Sequence, residues 1–135
     1  MSRIEFPLKP IKIERGIVPE PIIPVEVETV FGFRVYDFLV DSGADSSLLP
    51  FSMMKLLGVK KNECKATKTF GIEGSGVTTF DSIMNIRLNK KKLAIRCSIS
   101  ARDDVPFILG RLDLFYHYSI IFDNKFHKII FERAR

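Results

Sequence analysis

Tryptophan is absent, and cysteine and histidine occur only twice each in 135 residues. Cys64 and Cys97 have no close-spaced partner, so they exclude a zinc-type thiolate cluster and read as two reduced thiols of a cytoplasmic protein rather than a disulfide framework. His117 and His127 lie among aromatics without metal-ligand spacing, so no metal site and no cofactor is expected. Residues 1 to 12 interrupt their apolar content with charges and prolines, which gives neither a signal-peptide core nor an approach to a membrane span. Ser42, Ser46 and Ser47 sit in no Gly-x-Ser-x-Gly elbow, and Gly71, Gly74 and Gly76 are followed by no Gly-Lys-Ser/Thr ending. A serine-hydrolase triad and a phosphate loop are therefore unsupported. Lys and Arg exceed Asp and Glu by 21 to 16, but the basic runs Lys60-Lys61 and Lys90 to Lys92 carry no interleaved aromatics. They read as solvated ends, and no nucleic-acid or membrane partner is expected.

What the chain does contain is 46% hydrophobic residues, with twelve Phe and frequent Ile and Val. That is enough for the core of one domain and favours strands over helices. Residues 1 to 20, with Pro7, Pro10 and Pro19, read as an extended arm or edge strand, and residues 21 to 135 as the folded domain. Alternation predicts strands over Ile22 to Glu28 and Phe33 to Val40, with a turn between them. Residues 50 to 58 predict a short helix, opened by Pro50 and closed by Gly58. The cluster Gly71, Gly74 and Gly76 predicts a hairpin tip, Ile83 to Ile99 a second hairpin around the lysine run, and Ser119 to Phe131 a last one. A strand ending at Gly110 and a helical turn over Leu112 to Tyr116 complete the pattern.

Phe38-Leu39-Val40 leads directly into Asp41-Ser42-Gly43-Ala44-Asp45. An apolar strand thus delivers one carboxylate into a tight loop, where Gly43 removes the Cβ that would hold other groups at a distance. Asp, Ser and Gly are also ordinary turn residues, so the tripeptide alone says little. Its context says more. The loop resembles the Asp-Ser/Thr-Gly-Ala/Ser active-site loop of aspartic proteases, and in particular of the single-domain retropepsins. Ile108-Leu109-Gly110-Arg111 is similar to the apolar-apolar-Gly strand and following Arg of the same family, and the resemblance runs from about Ile22 to Glu132.

The resemblance implies an all-β closed barrel with a flap hairpin and one or two short helices. It implies catalysis by Asp41, with Ser42 and Gly43 in the same loop and Ser42 locking two such loops together. Substrate would lie against Ala44, Asp45 and the flap residues Gly71, Ile72, Glu73, Gly74 and Val77. Gly110 and Arg111 would support the loop, Arg111 through an ion pair with Asp45. Hydrolysis by carboxylates alone needs two of them sharing one proton, and this chain has a single Asp-Ser-Gly motif. The second acid must come from another copy, so the expectation is a homodimeric endopeptidase acting on protein or peptide substrates. A dimeric module that keeps the fold to bind or scaffold peptides is the alternative from outside enzymology.

Overall fold

The computed structural model describes residues 3–70 and 76–133, and the strand-rich reading holds throughout them. β1 (Arg3–Pro7), β2 (Lys9–Ile13) and β3 (Gly16–Glu20) occupy the N-terminal segment. β4 (Ile22–Thr29) and β5 (Gly32–Val40) form a hairpin in the predicted place, its turn fastened by the Thr29 hydroxyl donating to the Gly32 carbonyl at 2.7 Å. β6 (Ser47–Leu49) follows the Asp41 loop. It is succeeded by the one-turn α1 (Met53–Leu56), and Gly58, at φ +70°, ends that helical segment in the left-handed conformation glycine tolerates. β7 (Ala66–Phe70), β8 (Gly76–Leu88) and β9 (Lys91–Ser100) build two successive hairpins. Asn89 and Lys90, both at positive φ, make the second turn, so the lysine run begins in the turn and continues into β9. β10 (Ile108–Leu109), α2 (Leu114–His117), β11 (Tyr118–Asp123) and β12 (Lys128–Arg133) complete the chain.

Six strands close a barrel in the order β4-β5-β10-β6-β9-β8, with β8 returning to pair with β4 and β7 attached outside β8. The closing seam sets Glu26 opposite Arg87, whose guanidinium donates to both carboxylate oxygens at 2.7 and 2.9 Å. Inside lie Ile23, Val25, Phe38, Leu49, Met84, Ile86, Ile95, Ile99 and Leu109, all fully or almost fully buried. Each such side chain contributes roughly 1.5–3 kcal/mol. A second sheet, β1-β12-β11, packs Phe131 between Phe6 and Tyr118 in edge-on contacts. Ile129 to Phe131 pair with β11 on one side and with β1, an edge strand of this sheet, on the other. Ile4 and Leu8 join the buried core. β2 and β3 form a two-stranded hairpin of their own. No described helix is long and apolar enough to cross a membrane.

Candidate active site

Asp41 is placed by what packs along β5. Phe107 stacks on Tyr36 at 5.0 Å and meets Phe38 edge-on at 5.3 Å, which lays the segment before β10 along β5. β10 then runs parallel to β5, with Leu109 beside Val40, and the Asp41 N–H donates to the Leu109 carbonyl at 3.0 Å. The loop turns on itself: Ala44 N–H donates to the Asp41 carbonyl at 3.2 Å, and Gly43 N–H donates to Asp41 Oδ1 at 2.9 Å. That bond orients the carboxyl group of a half-buried Asp41, while Ser42 and Gly43 stand exposed at the surface. An acid held this way has one oxygen already committed to its own loop.

Gly110 is where the loop and β10 come closest. A Cβ at this position would sit 2.5 Å from both the carbonyl carbon and oxygen of Ser46 and 2.9 Å from the Ala44 oxygen, all backbone atoms. No other residue type fits without moving the chain. The Gly110 N–H donates to the fully buried Ser47 hydroxyl at 3.0 Å, which fastens β6 to the turn after β10. Ser47 is a site residue the sequence reading passed over. Its only signal was a hydroxyl directly before the apolar pair Leu48-Leu49, which is a buried polar group in need of a partner.

Arg111 lies beside the loop, but its link is main-chain: its N–H donates to the Ala44 carbonyl at 2.9 Å, and Leu112 N–H donates to the Asp45 carbonyl at 2.8 Å. The expected ion pair of Arg111 with Asp45 is not among those the described residues form. Both side chains are exposed, where such a pair contributes little, and the guanidinium lies over the Phe115 ring at 6.0 Å instead. The ion pair near this turn is made by Asp113, at φ +67°, which accepts from the Arg96 backbone N–H at 2.8 Å and from its guanidinium at 3.0 and 2.9 Å. Those bonds hold the Asp113 carboxyl down at about 2, below the ordinary carboxylate value of 3.8. A depressed folded-state value adds stability that is complete above the unfolded value and lost as pH falls towards 2. Asp113→Asn should therefore remove part of the stability at neutral pH, about 1 kcal/mol given the exposure of Arg96. Denaturant titrations at pH 7 and pH 2 check this: the difference between variant and parent should shrink on acidification.

Beside the loop opens a cleft of about 500 Å³, lined by Ala44, Asp45, Leu48, Val77, Val105 and Ile108 among others. Ala44, Asp45 and Val77 thus come together on one cleft. Gly71, Ile72, Glu73 and Gly74 lie outside the described residues, although β7 and β8, which lead to them, form a hairpin as predicted. Cys64 and Cys97 are free and border a separate groove, where burial first, then Cys64 and Asp81, pushes the Cys97 thiol up to about 12. Cys97 is thus a poor nucleophile. Among the described residues no group of three or more His, Cys, Asp or Glu could hold a metal ion.

Comparison with solved structures decides the architecture. The chain is similar to a retropepsin-like aspartic protease from Rickettsia conorii, with a TM-score of 0.67 and 18% identity over 96% of this chain and 91% of that one. This is the retropepsin-like fold. EIAV protease complexed with the inhibitor HBY-793 is similar at a TM-score of 0.52 and 24% identity, over 68% of this chain and 82% of that one. No family model matches the sequence, and no curated protein does. The likeness to the Rickettsia structure, at that coverage, necessarily takes in most of the first twenty residues, whereas the sequence resemblance began only at about Ile22.

Proposed function

We propose that the protein is an aspartic endopeptidase in which Asp41 of one chain and Asp41 of a second activate a water molecule between them. The observation that carries this reading is the presentation of Asp41: a single Asp-Ser-Gly loop on a retropepsin-like barrel, tied by Leu109 and Gly43 and exposed at Ser42 and Gly43. In this reading one carboxylate accepts a proton from water while the other, protonated, donates towards the carbonyl oxygen of the scissile peptide. Two carboxylates a few ångströms apart cannot both ionise cheaply, as in aspartic-protease dyads generally, so the pair holds one proton. Ser42 would bond between the two loops. An extended peptide would lie in the cleft against Ala44, Asp45 and Val77, beneath the β7–β8 hairpin acting as a flap, with Gly71, Ile72, Glu73 and Gly74 at its tip.

The chemistry needs no cofactor, and free Cys64 and Cys97 suit a reducing, cytoplasmic setting. The test is incubation of the protein with an unbiased peptide library from pH 3 to pH 9. Cleavage is expected in the acidic to mildly acidic range, falling away as both carboxylates ionise. A rate independent of pH across that range would contradict a shared proton. Binding of extended peptides without cleavage at any pH would instead favour the peptide-binding module.

A further inference from the structure

The β2–β3 hairpin has no place in the mechanism, yet its roots stand at the site. β5 runs towards Asp41, and antiparallel β4 begins at that same end, with Ile22 opposite Leu39. The Pro21 carbonyl accepts from the Val40 N–H at 2.9 Å, one residue before Asp41. The other leg is fixed by the Leu8 N–H, which donates to the His127 carbonyl at 2.8 Å. Between these anchors the hairpin stands roughly 17 Å long. None of residues 9 to 20 is buried, and β2 and β3 make their main contacts with each other.

Such an element is unsatisfied as it stands, because an isolated two-stranded hairpin is marginal in water. The register places Ile11, Ile13 and Val18 on one face, with Lys9 and Glu20 paired at its root, and Ile17 on the other. Ile13 and Ile17 are 46% and 71% exposed. If two Asp41 loops meet across a twofold axis, the second copy lies beyond the end of the barrel from which the hairpin springs. A stable dimer also buries about 800 Å² per partner from 20–30 residues, which a five-residue loop cannot supply. The hairpin is a neighbouring exposed surface able to supply part of it.

We propose that the β2–β3 hairpin is a dimer clasp, laying its Ile11, Ile13 and Val18 face on a second copy of this chain beside the paired Asp41 loops. This rests on the two-chain reading of the site. The experiment compares the parent with an Ile13→Asp, Val18→Asp variant by sedimentation across a dilution series, with amide exchange of residues 9 to 20 followed at each concentration. The parent should dimerise, and its hairpin amides should gain protection as concentration rises. The variant should match the parent's melting temperature at concentrations where both are monomeric and dissociate at least tenfold more readily. A dimeric parent whose hairpin exchanges at one rate at every concentration, with a variant of equal affinity, would overturn the clasp while leaving the shared site intact. Unchanged dimer affinity with weakened peptide cleavage would overturn it too, and would move the hairpin to the substrate. A parent that stays monomeric at every concentration would overturn the shared site and the clasp together.

Discussion

Gly110→Ala is expected to destabilise the protein by about 3 kcal/mol or more, lowering its melting temperature by about 10 °C. The added methyl group would meet main chain on both sides, at 2.5 Å from Ser46 and 2.9 Å from Ala44, and main chain cannot swing away as a flexible side-chain end can. Relief requires β10 to part from the Asp41 loop. That motion breaks the Gly110 to Ser47 hydrogen bond, leaving a buried hydroxyl without its partner, and loosens the Asp41 to Leu109 and Arg111 to Ala44 bonds. Gly43→Ala is the control within the same loop. Its Cβ would approach only Asp41 Oδ1, at 3.3 Å, so thermal unfolding should shift far less while the orientation of the carboxyl group suffers. A Gly110→Ala protein melting within about 2 °C of the parent would show that the two segments are not held together as tightly as described.

The second large effect concerns Asp41 itself. Asp41→Asn preserves shape but removes the carboxyl group that must accept and return a proton. Peptide cleavage should fall at least about a thousandfold. Stability should change little, because the oxygen of the substituted side-chain amide can still accept from the Gly43 N–H that now reaches Oδ1. An inactive but well-folded variant is therefore the expected outcome. Cleavage that survives the substitution would assign the chemistry to other residues.

The Asp41 loop and its supports were legible because each leaves a local mark. An apolar run ends at Asp41, a second ends at Gly110, and strict alternation over Leu93 to Ile99 marks β9. What escaped notice depends on residues distant in sequence. Asp113 and Arg96 meet only because the turn after Gly110 puts Asp113 at positive φ, against the outer face of β9. Ser47 is carried inside by β6, and only the fold brings it to its partner Gly110. The N-terminal hairpin was hidden by its prolines, since Pro10 and Pro19 lie opposite one another and proline argues against a paired strand. In a sheet of only two strands both are edges, so each proline finds a position where no ladder donor is needed. The tip predicted around Gly71 and Gly74 lies outside the described residues, while its flanking strands emerged from a stretch that reads as polar because Ala66, Thr67 and Lys68 of β7 are exposed and Val77 and Thr78 at the start of β8 are only half-buried.

One measurement bears most directly on a site built from two chains: cleavage by mixtures of parent and Asp41→Asn protein, allowed to exchange subunits at fixed total concentration. If only dimers with two Asp41 carboxyls act, an equal mixture should retain about a quarter of the parent activity, and the fall should follow the square of the parent fraction. Activity that falls in simple proportion, with half remaining in the equal mixture, would mean that each chain works alone.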